Sequence, residues 1–269
     1  MINTYKFSNE TWIDIDRGTP EEIQGIIAEH KIHPFVAKEL TSFTPHSRVE
    51  IHDQYIYCIM HFPVWKHTHS EDKNQEIDFV IGKNILITAR YDTIDALHKF
   101  SKEVEVSGIL RKEHEFKKTH GHFIFMSMLR ALYASVFEEL EYIEDIADSI
   151  TGKIFKGEER KMVVTISELT RTLLDFKKTT DMHKEILESL AHHGQEIFGE
   201  DFKTEIESIT RDYMKISATI KSNIDIVHEL RDTDNSLLTS KQNQTMKTFT
   251  IIGSILFILS ILVTIFLSL

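Results

Sequence analysis

Short apolar runs separated by turn residues characterise the first 118 residues of the chain. Tyr55 to Met60 is rich in β-forming residues, and Ile77 to Thr88 predicts two strands joined by a turn at Gly82-Lys83-Asn84. Thr19 followed by Pro20 predicts a helix start, because proline is favoured at the first helical position. Residues 1–118 are therefore predicted to form an α/β (α+β) domain with a mixed sheet.

Helical periodicity replaces the strand pattern after residue 118. His122–Ile150 and Glu158–His193 predict two long amphipathic helices, so residues 119–200 are expected to form an antiparallel helix pair. A loop from His193 to Glu200 is predicted to follow them. One side of the first helix is apolar, and its other side is acidic, with Glu138, Glu139, Glu141, Glu144, Asp145 and Asp148.

The last third of the chain predicts one uninterrupted helix from about Thr204 to Leu269. No glycine or proline occurs between Glu200 and Ile252, and no charged residue occurs from Thr250 to Leu269. Twenty helical residues rise about 30 Å, which matches the hydrocarbon core of a bilayer. Residues 201–249 are therefore predicted to be a stalk helix, continuous with a transmembrane helix at residues 250–269.

One strip of this helix differs from the rest of its surface. Alternate steps of four and three residues from Asp232 to Thr264 select one line of side chains, which we call the polar strip. The average period of 3.5 residues is typical of helices that wind around a common axis. Within the membrane segment only Ser254 and Ser268 are small or polar residues outside it. The polar strip allows two interpretations: close packing of membrane helices, or an ion path ringed by copies of the helix. Its residues are Asp232, Ser236, Thr239, Asn243, Met246, Thr250, Gly253, Phe257, Ser260 and Thr264.

Composition and charge narrow the possible partners and the location. The formal net charge is −11, from 42 acidic and 31 basic residues, which argues against nucleic acid as a partner. The single cysteine, Cys58, cannot form an internal disulfide, and the N-terminus lacks the apolar core of a signal peptide. Lys241 and Lys247 precede the apolar segment, so we expect a cell (inner or plasma) membrane protein with a cytoplasmic N-terminal domain.

Candidate catalytic and nucleotide-binding motifs are missing from the sequence. The ten glycines form neither a GxGxxG nor a GxxxxGK pattern, and there is no GxSxG elbow. His61, His67 and His69 could bind a transition metal, but solvent-facing histidines in a loop are the simpler interpretation. We therefore expect neither an enzyme nor a bound cofactor.

Two stretches resemble the CorA family of divalent-cation (magnesium/cobalt) transporters. Arg48-Val49-Glu50, Tyr55–Met60 and Ile77–Thr88 resemble the family's cytoplasmic sheet, which ends in a "GKN-x-LIT" hairpin. Asn243–Ile252 (NQTMKTFTII) is similar to the family's "N-x-x-M-K-x-L-T-I-I" entrance to the first membrane helix. The order of the parts also matches, so the resemblance covers nearly the whole chain.

The resemblance implies pentameric funnels in which five stalk helices line a pore. Carried onto this sequence, the pore-facing positions are Asn243, Met246, Phe249, Phe257, Ser260 and Thr264, which nearly coincide with the polar strip. Asp232 would supply a ring of carboxylates above the apolar neck. The family's regulatory acid falls on Ser208, with Glu205 and Glu207 as neighbouring substitutes; Asp225 and Asp232 complete the candidate metal ligands.

The sequence departs from the family at its C-terminal end. In the register of the Gly-Met-Asn signature it has Leu267-Ser268-Leu269, so the signature and the second membrane helix are absent from it. The departure leaves two alternatives: a truncated sequence, or a divergent relative.

The resemblance predicts a CorA-like channel for divalent cations, Mg²⁺ first and Co²⁺ or Ni²⁺ next, with Mg²⁺ as both the transported and the regulatory ion. The channel would be gated by cytoplasmic cation binding in a homo-oligomer, a pentamer, embedded in membrane lipid. Two alternatives remain open: a non-conducting, single-span, membrane-tethered oligomer that senses cations or acts as a scaffold, and a zinc-transporting branch of the same superfamily.

Overall fold

The computed structural model describes residues 1–7, 10–64, 74–109 and 122–268. The strands are β1 (Ile2–Lys6), β2 (Thr11–Asp16), β3 (Arg48–Ile51), β4 (Tyr55–Pro63), β5 (Asn74–Gly82) and β6 (Ile85–Arg90). The helices are α1 (Pro20–Glu29), α2 (Pro34–Glu39), α3 (Asp95–Ile109), α4 (Phe123–Phe155), α5 (Glu159–Thr180), α6 (His183–Phe198) and α7 (Glu200–Ser268).

The six strands form one mixed sheet in the order β1-β2-β6-β5-β4-β3. The β2–β6 pair is parallel, and the other four pairs are antiparallel. The hairpin predicted at Ile77–Thr88 is formed by β5 and β6. At its turn a Cβ on Gly82 would lie 2.8 Å from Cγ2 of Ile85, so only glycine fits there. The predicted α+β fold with a mixed sheet is confirmed.

Helix α1 covers one face of this sheet and begins where the sequence predicts. Oγ1 of Thr19 accepts a hydrogen bond from the Glu22 amide at 3.3 Å, and the Glu22 carboxylate accepts one from the Thr19 amide at 2.9 Å. This reciprocal capping box satisfies two backbone donors that a helix start leaves open. Ile23 and Ile27 of α1 then join a buried apolar cluster with sheet residues that include Val80.

The prediction of a single helix over Glu158–His193 is wrong. The helix breaks after Thr180, and α6 starts again at His183. The His183 side chain is fully buried, and its Nε2 lies 2.8 Å from the backbone oxygen of His61 on β4. We attribute the break to this anchor, which ties the start of α6 to the sheet. The loop predicted from His193 to Glu200 is also wrong, because α6 continues to Phe198 and only Gly199, with φ 100°, separates it from α7.

The chain divides into two compact units. The first comprises Met1–Tyr142 and Thr172–Asn223, and contains the sheet; the second comprises Ile143–Arg171 and Ile224–Leu269. Helix α7 is continuous in sequence through both, with 69 residues. The segment boundaries proposed from sequence, at residues 118, 200 and 249, remain a prediction.

Candidate functional site

Helix α7 changes character along its length. Its predicted apolar stripe is buried, through Ile206, Ile209, Tyr213, Ile216, Ile220, Val227 and Leu230. From Thr239 to Ile265 every residue is exposed within the described chain. This exposed part contains the strongly apolar segment, with a mean hydropathy of 2.5 over its best window. It is the one helix in the described part of the chain that is long and apolar enough to cross a membrane.

Large apolar side chains of the predicted ion path remain mostly exposed in the described chain. Met246, Phe249 and Phe257 are each 67% exposed. Three such side chains within about three turns of one helix are costly in water, so lipid or another polypeptide must cover them. A membrane-spanning helix that meets further helices satisfies this requirement.

The hydroxyl groups of the polar strip bond to their own helix. Oγ1 of Thr250 donates to the Met246 carbonyl at 2.9 Å, and Oγ1 of Thr264 donates to the Ser260 carbonyl at 2.8 Å. Ser260 likewise donates to the Phe257 carbonyl at 2.8 Å. Such bonds satisfy the hydroxyl proton in an apolar medium and leave the oxygen lone pairs available to water or a hydrated ion.

A shallow polar groove of about 730 Å³ lies beside the polar strip, before the apolar segment begins. Asn243 and Thr239 line it together with Ser236, and Lys247 lies at its end. Amide and hydroxyl oxygens here present acceptor groups about two to four turns before the apolar segment.

The candidate metal ligands do not form a site within one chain. Asp225, Asp232 and Glu207 are exposed, and the Glu205 carboxylate pairs with the Arg130 guanidinium. Asp225 and Asp232 are seven residues apart, or about 10 Å along the helix axis. Among the described residues no group of three His, Cys, Asp or Glu side chains could hold a metal ion.

Asp234, which sequence analysis did not select, is the buried acid of this part of α7. It is 1% exposed, and its Oδ1 has no hydrogen-bond partner. Burial, with a smaller contribution from Glu159, raises its pKa above the ordinary value. The signal was present in the sequence, because Asp234 continues the stripe of Val227 and Leu230 at helical spacing.

A second buried acidic group lies in the sheet. Asp78 is fully buried and accepts hydrogen bonds from the phenols of Tyr57 and Tyr91, both at 3.2 Å. Desolvation, followed by the charge of neighbouring Glu76, raises the pKa of Asp78 well above its usual range. Glu76 in turn lies 3.1 Å from Nε2 of His61.

The burial of His61 contradicts the interpretation that this histidine faces solvent in a loop. It is 5% exposed, on β4, and its Nδ1 lies 2.8 Å from Oγ of Ser47. Its role is to satisfy a buried carboxylate, not to face water. His67 and His69 lie outside the described residues.

Solved structures share this architecture. The complete structure of the CorA magnesium transporter from Methanocaldococcus jannaschii superposes with a TM-score of 0.76 at 20% identity, covering 93% of this chain and 77% of that one. The ZntB cytoplasmic domain from Vibrio parahaemolyticus gives a TM-score of 0.70 at 13% identity, covering 87% of this chain and 90% of that one. These likenesses show that the chain shares its fold with both structures.

Sequence comparison gives the family. The chain belongs to the family of CorA-like Mg²⁺ transporter proteins, whose model matches residues 9–266. A cobalt/magnesium transport protein CorA from Thermotoga maritima is 23% identical over 250 residues, which are 92% of this chain and 70% of that protein. The family resemblance identified from the sequence is therefore confirmed. The family is one of transporters, not enzymes.

Proposed function

We propose that the protein is a homo-oligomeric, pentameric transporter of divalent cations, with Mg²⁺ as its main substrate, and that α7 lines its ion path. The observation that carries the proposal is the combination on one helix of a buried cytoplasmic half and a fully exposed apolar half bearing the polar strip. Membership in the CorA-like family supports the substrate class. An enzymatic role and a bound cofactor are not part of this proposal.

In this mechanism the ion moves largely hydrated along the strip. Mg²⁺ gives up its water reluctantly, so the hydroxyl and amide oxygens of Asn243, Thr250, Ser260 and Thr264 would contact its hydration shell. Gly253 leaves room beside them. The apolar side chains of Met246, Phe249 and Phe257 would narrow the path and close it by dewetting.

Regulation would come from carboxylates between subunits. A ring of Asp232 side chains above the neck would attract cations, and Asp225 and Glu207 would add acidic faces that bound Mg²⁺ holds together. Glu205 is the weakest of these candidates, because Arg130 already neutralises it. Loss of the ion would let like charges separate the stalks, which is a population shift toward an open state.

Mg²⁺ uptake by the full chain tests the function. We expect the chain to restore growth at low Mg²⁺ in a bacterial strain that lacks its own Mg²⁺ transporters, and to carry Mg²⁺ into proteoliposomes that contain a Mg²⁺-sensitive dye. Absence of both, with normal membrane expression, would favour the non-conducting tether. Uptake of Zn²⁺ but not Mg²⁺ would favour the zinc-transporting branch.

Substitutions test the path itself. Asn243→Ala and Phe257→Ala should alter flux or leak, whereas Gln242→Ala and Leu256→Ala, one residue away on the same exposed helix, should not. If the chain transports Mg²⁺ and all four variants behave alike, the polar strip is not the ion path.

A further inference from the structure

The turn between α4 and α5 presents an aromatic side chain to solvent. Phe155, the last residue of α4, is 72% exposed. The backbone behind it is fixed, because the Glu158 and Gly157 amides donate to the Lys153 and Ile154 carbonyls at 3.1 and 3.0 Å. These two bonds and the φ of 91° at Gly157 form a Schellman motif. We call residues 153–161 the hairpin tip.

The charges of the hairpin tip do not cancel one another. Its acids are neutralised, since Glu158 pairs with Lys161 at 3.2 Å and Glu159 pairs with Lys241 at 2.6 Å. Lys153, Lys156 and Arg160 are exposed and form no ion pair with any described residue. The tip therefore carries three uncompensated positive charges around an exposed phenyl ring.

The hairpin tip lies next to the start of the apolar segment. Lys241, its ion-pair partner, is on α7, and a cavity of about 690 Å³ lies between the tip and α7. Arg160 and Lys161 line one side of this cavity; Met246 and Phe249 line the other. Phe249 directly precedes Thr250, where the uncharged segment begins. Cationic groups thus lie where a lipid headgroup would be, and apolar groups lie where its acyl chains would start.

We propose that the hairpin tip docks on the anionic lipids of the adjacent leaflet. In this arrangement Phe155 enters the boundary between headgroups and acyl chains, about 5–10 Å deep. Lys153, Lys156 and Arg160 bind lipid phosphates, and the cavity beside α7 holds a headgroup. Basic residues near an anionic surface are attracted to it, and phenylalanine beside a basic face is typical of segments that lie at this depth. The inference rests on the membrane insertion of α7 that the proposed function includes.

Spin labels on the full-length protein in vesicles can test the depth of Phe155. The only cysteine, Cys58, is fully buried, so single labels can be attached at Phe155→Cys, Leu174→Cys and Ile258→Cys. Leu174 is 49% exposed and lies on α5, fifteen residues beyond Glu159, as the control for an exposed apolar site away from the tip. Ile258 reports insertion of α7. Collision with oxygen marks a lipid environment, and collision with a water-soluble nickel chelate marks an aqueous one.

In vesicles of phosphatidylglycerol and phosphatidylcholine we expect the label at position 155 to favour oxygen and the label at 174 to favour the chelate. The triple variant Lys153→Glu, Lys156→Glu and Arg160→Glu should return the label at 155 to water. Replacement of Arg171, Lys177 and Lys178, which are exposed on α5, by Glu should leave the label at 155 in lipid. Pure phosphatidylcholine should also weaken docking.

Two results would overturn the docking proposal while leaving transport intact. With the label at 258 deep in hydrocarbon, chelate access at 155 equal to that at 174 would place the tip in water. Low access to both oxygen and chelate at 155 would place the tip against another polypeptide. If the label at 258 is itself in water, α7 is not inserted and the proposed function fails as well.

Discussion

The Nζ atom of Lys241 lies 2.6 Å from Oε1 of Glu159, and so joins α7 to the first turn of α5. The Glu159 side chain is only 5% exposed, and this hydrogen bond lowers its pKa from the ordinary value. The same contact holds the hairpin tip against the part of α7 that precedes the apolar segment. Breaking it should therefore free the tip.

Lys241→Met is expected to raise the pKa of Glu159 and to speed amide hydrogen exchange at residues 158–161. Because the folded-state pKa is lowered, the stabilisation is present above the ordinary value of 4.5 and is lost as pH falls through the lowered pKa. Exchange mass spectrometry at neutral pH measures the effect. Lys161→Met, which removes only the exposed pair with Glu158, is the control; equal exchange in both variants would contradict the prediction.

Asp78→Asn should make the stability of the sheet domain less dependent on pH. Since the raised pKa keeps Asp78 protonated in the fold, the folded state retains a proton that the unfolded chain releases above its ordinary value of 3.8. Stability therefore falls as pH rises through this window, by up to about 1.4 kcal/mol per pH unit for one proton. Burial also raises the pKa of Glu10, to about 8, with the same sign.

Urea unfolding of the parent and of the Asp78→Asn variant, at several pH values between about 5 and 8, measures how the free energy of unfolding changes with pH. The asparagine amide can still accept from Tyr57 and Tyr91, so the fold should persist. Asp53→Asn, at an exposed position, should keep the parent slope. An unchanged slope in Asp78→Asn would show that the buried acid is not protonated.

His183→Leu is expected to destabilise the first unit. Nε2 of His183 must donate to the His61 carbonyl, which can only accept, so Nδ1 accepts from the Tyr133 hydroxyl at 3.0 Å. Leucine leaves both partners buried and unpaired, at a cost of about 1–3 kcal/mol for each. His192→Leu, exposed on the same helix, should cost little. Thermal unfolding of the two variants compares them.

The same residue should make the fold acid-sensitive. Burial lowers the pKa of His183 to about 4, so the unfolded chain binds a proton between the ordinary value of 6.5 and about 4 that the folded chain refuses. Its contribution to stability therefore falls as pH falls through that window. This dependence opposes that of Asp78, and His183→Leu should remove it. Stability of the variant that falls as steeply below pH 6.5 as that of the parent would contradict the assignment.

Two glycines in helices should respond oppositely to alanine. A Cβ at Gly194 would lie 2.2 Å from the ring of Phe202, and overpacking of this kind costs about 1–3 kcal/mol. At Gly152 nothing lies within 4 Å, so alanine should gain about 0.5–1 kcal/mol of helix stability. Chemical unfolding of the two variants measures the difference. Equal effects would mean that the Phe202 ring moves aside freely.

Mg²⁺ should protect the stalk from proteolysis. If the ion holds acidic subunit faces together, digestion within residues 201–249 should slow when millimolar Mg²⁺ is added to the full-length protein. Asp225→Asn with Asp232→Asn should abolish the protection. The control is Glu188→Gln, an exposed acid on α6. Equal digestion with and without Mg²⁺ would remove the support for cation-dependent gating.

Local patterns predicted much of the fold. The turn at Gly82 and the start at Thr19 depend on neighbouring residues, and the structure confirms both. The break before His183 was not predictable in this way, because the hydrogen bond to which we attribute it joins His183 to His61, 122 residues away in sequence. A periodic apolar pattern continues through the break and gives no signal of it.

Some features of the candidate site were likewise predictable from local patterns, and others were not. The exposed apolar run and the burial of Val227 followed from periodicity. Asp78 and Asp234 were missed because a charged residue in an apolar pattern is ordinarily assigned to the surface. The burial of Asp78 depends on tyrosines that come together only in the folded chain, whereas helical spacing already placed Asp234 on the buried stripe. The ion-path residues remain a prediction, because they are exposed in the described chain.

Both borders of the sheet are small. Strand β1 has five residues and β3 has four, and β3 carries the ion-paired side chains of Arg48 and Glu50. A long, flat, apolar edge strand can pair with a strand of a neighbouring molecule, and such pairing leads to aggregation. Avoiding such aggregation matters for a chain that also exposes a long apolar segment on α7. Short edge strands, one of them with paired charges, therefore disfavour sheet-to-sheet association between copies of this chain.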